Sequence, residues 1–125
     1  MAAARSISVV LVDDTPEIRR LLRQGLELLG GFDVVAEAGD GVQGVASVRE
    51  HQPDAVLLDL AMPVMDGLQA IPVIRTAVPE TKILILSGFD EHRMSGEVMS
   101  AGAHAYLSKG VPITKIASVL KALVE

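Results

Sequence analysis

Short runs of aliphatic and β-branched residues alternate with longer stretches of helical period along the whole chain, five of each. That alternation signals βαβ units wound around a parallel sheet. The strand candidates are Ile7 to Val12, Phe32 to Glu37, Ala55 to Leu60, Lys82 to Leu86 and Ala105 to Leu107. The first, third and fourth are nearly continuous apolar runs, the pattern of strands buried on both faces.

The intervening segments carry helix signals. Thr15 is placed to cap a first helix with Pro16 at its first position, and Ile18, Leu21, Leu22, Leu26 and Leu29 fall on one face before Gly30 and Gly31 stop it. Asp40 caps a second helix reaching about His51, and Pro53 begins the return to the third strand. Asp66 caps a third helix ending near Val78, with Leu68, Ile71, Ile74 and Val78 inward. Pro72 inside it removes a backbone bond and predicts a kink or an irregular first turn. A fourth helix from about Glu91 to Ala101 has a weak apolar stripe broken by Ser95, Gly96 and Ser100, and should be the least stable. The last, Ile113 to Val124, shows a clean stripe of Ile113, Ile116, Ala117, Leu120 and Val124.

Right-handed crossovers leave few ways to join five such units, and the flavodoxin-like (βα)5 arrangement, an α/β doubly wound sandwich with parallel strand order 2-1-3-4-5, is the expected fold. At 125 residues, with no internal repeat or low-complexity tract, residues 1–125 read as one domain. Half the residues are hydrophobic and only 2% aromatic, so the core must be aliphatic. The absence of cysteine suits a reducing cytosol. No run approaches the roughly 18 apolar residues of a membrane helix, and the N-terminal run is too short for a signal peptide. The expected location is cytoplasmic, away from membranes. A net charge of −5 argues against direct contact with nucleic acid phosphates.

In this fold ligands bind beyond the carboxyl ends of the strands. Asp13 and Asp14 follow the first strand, Asp59 ends the third, Ser87 follows the fourth and Lys109 follows the fifth. Any one strand-end aspartate could simply cap a helix. Asp59 is harder to explain that way, because it stands in the apolar run Val56-Leu57-Leu58-Asp59-Leu60, where a lone charge is costly. Three converging carboxylates repel one another unless a cation sits among them, and Mg²⁺ suits a site with few protein oxygens and retained waters. His51, His92 and His104 show no ligand spacing and read as surface residues, and Met62 and Met65 as packing. No G-x-G-x-x-G fingerprint follows the first strand.

The motifs Val12-Asp13-Asp14, Leu57-Leu58-Asp59-Leu60 with Met62-Pro63 and Met65-Asp66-Gly67, Leu86-Ser87-Gly88, and Ala105-Tyr106-Leu107-Ser108-Lys109 together resemble the response-regulator receiver family of two-component signalling. The resemblance implies that Asp59 accepts a phosphoryl group from a sensor histidine kinase or a phosphotransfer protein. It implies that Asp13, Asp14, Asp59 and the Ala61 backbone carbonyl hold Mg²⁺, that Lys109 pairs with the phosphoryl oxygens and that Ser87 donates to them. In the family the aromatic at Tyr106 turns inward as the serine is drawn to the phosphoryl group, so Ser87 and Tyr106 are the expected switch. Such a domain is no turnover enzyme, catalysing only its own phosphorylation and dephosphorylation. The segment Leu107-Ser108-Lys109-Gly110 and the ending Leu120 to Glu125 are similar to receivers that precede a LuxR-type DNA-binding domain, which this chain does not contain. A homodimer is compatible with that output.

The sequence departs from the family where Gly110 takes the place of the usual proline after the lysine. A cis bond there would cost about 3 kcal/mol. Other readings are a stand-alone receiver acting through protein contacts, a pseudo-receiver that only binds, and a phosphatase of the haloacid dehalogenase type. The last needs a D-x-D loop after the first strand, whereas Val12-Asp13-Asp14-Thr15 lacks that spacing, and all five site residues argue against the pseudo-receiver.

Overall fold

The computed structural model describes residues 5–88 and 91–125, the side chains of Glu91 and His92 excepted. Along the chain the elements are β1 (Ile7–Val12), α1 (Pro16–Leu29), β2 (Phe32–Ala38), α2 (Gly41–His51), β3 (Ala55–Leu58), α3 (Gly67–Ala77), β4 (Lys82–Ser87), α4 (Glu91–Ala101), β5 (Ala105–Ser108) and α5 (Ile113–Val124). The strands form one parallel sheet in the expected order, β2-β1-β3-β4-β5.

Period-two alternation sorts the apolar strand residues into two layers. Val10, Val12, Val56, Leu58, Ile83 and Ile85 pack with α2, α3 and α4, whereas Val9, Leu11, Leu57, Leu84 and Leu86 pack with α1 and α5. Both faces are covered, which is why the central strands read as continuous apolar runs. The edge strand β2 breaks step once. Its register against β1 shifts between Val9 and Val10, so that Val35 is passed over and Glu37 lies opposite Leu11. An extra residue reverses which face later side chains point to. Phe32 and Val34 lie in the α1 layer and Ala38 in the opposite one, so Glu37 turns toward α1.

The helix signals hold with three changes. Thr15 stands at the N-cap of α1 without a side-chain capping bond. Its N–H instead donates to Asp13 Oδ1 at 2.9 Å, committing this turn to the carboxylate. Of the predicted α1 stripe only Leu26 is fully buried, and Leu21 and Leu29 are exposed, because the helix rests on the sheet along a narrower line. Helix α3 runs unbroken through Pro72, started by a full capping box in which Asp66 accepts from the Gln69 N–H and the Gln69 side chain accepts from the Asp66 N–H. Asp40 caps α2 by accepting from the Gln43 N–H.

Candidate functional site

The sheet stops along one rim, and the ladder bonds carry one residue further. The Asp13 N–H donates to Ala38 O at 3.0 Å, Asp59 N–H to Val12 O at 2.9 Å and Lys109 N–H to Ser87 O at 3.0 Å. Asp59 is thus the first residue past β3 rather than inside it, since the strand ends at Leu58, two residues short of the Leu60 expected. These bonds fix the backbones of three site residues to the sheet itself. Ser87, the last residue of β4, is fully buried at the same rim.

The side chains converge. Lys109 Nζ lies 2.9 Å from Asp13 Oδ2 and 3.2 Å from Asp59 Oδ2. Asp13, Asp14 and Asp59 each offer one carboxylate oxygen, all within 4.8 Å of one another. Asp13 and Asp59 are buried and Asp14 is exposed, so the cluster opens to solvent on the Asp14 side. A cleft of about 320 Å³ is lined by Asp14, Asp59, Ala61, Ser87, Gly88 and Lys109. A smaller apolar groove of about 180 Å³ runs between α1 and α5, with Lys109 as its sole charged lining residue.

Three carboxylates face one ammonium here, and the protonation equilibria show the imbalance. Burial, then the charge of Asp13, pushes the Asp59 carboxyl above its ordinary value, against the opposing pull of Lys109 and the Ala61 N–H. Burial works against the charge of Lys109, but Asp13 and Asp59 outweigh it and hold the ammonium more firmly than usual. A hard divalent cation would relieve the excess negative charge, and the donors available are all oxygens, as Mg²⁺ prefers. The residues present fit that ion.

The loop from Asp59 into α3 is built around close approaches. A Cβ on Gly67 would sit 2.1 Å from the Asp59 carbonyl oxygen, so only glycine fits. The Gly67 N–H donates to Leu60 O, and the Gly41 N–H at the start of α2 donates to Met65 O, both at 2.9 Å. Between them Val64 has φ of 68°, with Met65 N–H donating to Pro63 O at 2.8 Å, a three-residue turn of γ type.

The expected site residues Asp13, Asp14, Asp59, Ala61, Ser87 and Lys109 thus share one rim. Tyr106, the other half of the expected switch, is buried in the layer containing α2, α3 and α4, the inward position. No cis peptide bond occurs among the described residues, so Lys109–Gly110 is trans. The histidine expectation needs correction at His104, which is half-buried and accepts from the Ile83 N–H through Nδ1 at 3.0 Å. His51 is exposed beside Glu50, as expected, and the His92 side chain lies outside the described residues. Arg19 was not singled out from the sequence, yet its guanidinium reaches the Asp13 carbonyl and the Glu37 carboxylate. Its position one turn into α1 was the available signal, but the bulge that turns Glu37 toward it leaves no mark in the sequence pattern.

Residues 9–121 match the response regulator receiver domain. The chain belongs to that family. Among curated proteins this receiver is 37% identical over 117 residues to the response regulator UvrY of Escherichia coli K12, covering 94% of this chain and 54% of that one. Among solved structures it superimposes on the signal receiver domain of NarL from Mycobacterium tuberculosis with a TM-score of 0.89 and 34% identity, covering 95% of this chain and 97% of that one. It also superimposes on a LuxR-family two-component response regulator from Aurantimonas sp. SI85-9A1, with a TM-score of 0.90, 30% identity and coverage of 95% and 85%. The receiver spans about half the length of the curated relatives it matches. Among the described residues no helix is long and apolar enough to cross a membrane.

Proposed function

We propose that residues 1–125 act as one cytoplasmic receiver unit in which Asp59 accepts a phosphoryl group from a sensor histidine kinase or phosphotransfer protein. The observation that carries this reading is the burial of Asp59 beside Asp13 with Lys109 Nζ 3.2 Å away. A carboxylate is already a nucleophile and needs no general base. One oxygen of Asp59 attacks phosphorus while the bond from phosphorus to the donor's leaving atom breaks, and the charge on the phosphoryl oxygens has to be neutralised. Lys109, kept charged by its neighbours, supplies a point charge to those oxygens. Ser87 donates its hydroxyl, and Gly88 exposes backbone to the same cleft. Asp13, Asp14, Asp59 and the Ala61 carbonyl are the groups that would hold Mg²⁺, which when bound neutralises charge on the transferred group.

Signalling follows from differential contacts, because a ligand shifts a two-state equilibrium only as far as it prefers one state. The phosphoryl group engages Ser87 and Lys109, and Tyr106, already inward, is held there. The changed surface comprises α4, β5 and α5. The LuxR-family relatives support an output through a DNA-binding domain outside residues 1–125, with dimerisation as one means of control.

The test is intact-protein mass spectrometry after incubation with acetyl phosphate and Mg²⁺. The parent should gain one phosphoryl group and Asp59→Asn none. Equal labelling of the Asn variant would refute the assignment.

A further inference from the structure

The Asp13–Asp14 turn is held from more sides than a strand end requires. The Asp13 N–H is bound by Ala38 O, Oδ1 accepts from the Thr15 N–H and Oδ2 faces Lys109. Its carbonyl oxygen is held by the Arg19 Nη1 group. Asp14 is different. It is the exposed member of the carboxylate cluster, so its direction rests on the backbone that carries it.

Arg19 is itself fixed. Its Nε donates to Glu37 Oε1 at 3.0 Å, and the other oxygen of Glu37 accepts from Arg23 Nη1. Arg23 Nη2 then donates to Val34 O at 2.9 Å. Glu37 reaches this network because the β2 register shift turns it to the α1 side. A bulge in a parallel pair is uncommon and serves to re-aim a side chain. Here it sets a carboxylate under two arginines, only one of which touches the acidic turn.

We propose that Arg19 is a positioning residue for the metal-binding turn: by holding the Asp13 carbonyl it fixes the plane of the Asp13–Asp14 peptide and hence the direction of the Asp14 carboxylate. This rests on the reading of the acidic cluster as the Mg²⁺ site. Charge and position act on that site in opposite directions. Arg19 is a cation near three carboxylates, so its charge alone disfavours Mg²⁺ and deleting it would tighten binding. If Arg19 positions Asp14, deleting it weakens binding instead.

The experiment titrates Mg²⁺ into the parent, Arg19→Met, Arg19→Lys and Arg23→Met, following amide shifts by NMR and the ¹⁵N relaxation of the Asp14 amide. Arg23→Met deletes a charge from the same Glu37 network without touching Asp13. The Arg19→Met variant should bind Mg²⁺ at least several-fold more weakly and show a more mobile Asp14 amide, Arg19→Lys should fall between it and the parent, and Arg23→Met should match the parent. Unchanged or tighter binding in Arg19→Met, or an equal loss in Arg23→Met, overturns the proposal. Should Arg19→Met fail to fold, weaker Mg²⁺ binding and a more mobile Asp14 amide in Arg19→Lys than in Arg23→Met support it, and parent-like binding and relaxation in Arg19→Lys, or a loss no greater than that of Arg23→Met, overturn it. A parent that binds no Mg²⁺ would refute the metal reading alone, leaving Asp14 relaxation to decide the role of Arg19.

Discussion

Val64 carries two local costs at once. It is β-branched at φ of 68°, where a Cβ crowds the following carbonyl, and it is 82% exposed, so it gains almost nothing from packing. Left-handed backbone costs a non-glycine residue roughly 1–2 kcal/mol, and glycine gives back about 0.5–1 kcal/mol through unfolded-state entropy. Val64→Gly should therefore stabilise the receiver by about 0.5–1 kcal/mol. Urea unfolding measures it, and a destabilised variant would mean that Val64 makes a contact worth more than its strain. At this scale the sequence revealed charge placement but little about backbone conformation. Asp59 was conspicuous because a carboxylate in an aliphatic run needs a partner. Val64 looked like any loop residue, since nothing in Met62-Pro63-Val64-Met65 announces a positive φ at a valine. Gly67 was visible as part of a motif, while the 2.1 Å approach to the Asp59 carbonyl that demands it was not.

Elements were legible where their causes are local. The caps at Asp40 and Asp66 act within three residues, so they could be read directly. The α1 stripe was overread because helical period shows which residues share a face but not how wide a strip the sheet covers, and Leu21 is 64% exposed. The β2 bulge was invisible because it depends on register against β1. Long-range ties between elements were hidden in the same way, and Asp54 is the clearest. Its Oδ2 accepts from the Ser8 N–H at 2.9 Å and from the Ser8 hydroxyl at 3.2 Å, Oδ1 accepts from Arg5, and the Asp54 N–H donates to Ser8 Oγ at 2.8 Å. This clasp joins the start of β1 to the residue before β3. Burial would raise the Asp54 carboxyl, but the Ser8 N–H, Arg5 and the Ser8 hydroxyl together hold it below its ordinary 3.8. Its stabilising contribution is therefore complete above pH 3.8 and is lost as pH falls through the lower folded value. Asp54→Ala strands a part-buried N–H and should cost about 1–3 kcal/mol at neutral pH. Chemical unfolding at neutral pH checks this, and the parent–variant gap should narrow at strongly acid pH as Asp54 is protonated. A gap that does not narrow would show that the ionised carboxylate contributes nothing.

Across the whole molecule the two ends of the sheet have different tasks. The carboxyl ends gather the charged site, whereas the opposite end is tied down by hydrogen bonds. His104 lies at that opposite end, joining β4, β5 and α3. Its N–H donates to Ile83 O at 2.9 Å and its Nδ1 accepts from the Ile83 N–H at 3.0 Å, so the neutral ring carries its proton on Nε2. Arg75 Nη1 of α3 donates to Pro79 O at 3.1 Å and stands 3.3 Å from Nε2 as a charged neighbour and not as a hydrogen-bond partner, since both groups carry protons. A second proton on the ring would set Nδ1–H against the Ile83 N–H and place a cation beside Arg75, with Lys82 of β4 nearby. Burial, Arg75 and Lys82 accordingly all lower the His104 pKa below its ordinary 6.5. The unfolded chain then binds the proton more readily than the folded one. The stability tied to His104 is complete above pH 6.5 and drains away as pH falls through the depressed folded value. A single proton limits the slope to about 1.4 kcal/mol per pH unit. In His104→Asn the side-chain carbonyl oxygen, two bonds from Cβ like Nδ1, can still accept from the Ile83 N–H but cannot titrate. Urea unfolding at pH values stepping down from neutrality should show the parent losing stability faster than this variant, beginning near pH 6.5. Parallel curves for the two proteins would show that the proton enters elsewhere and that this end of the sheet is indifferent to acid.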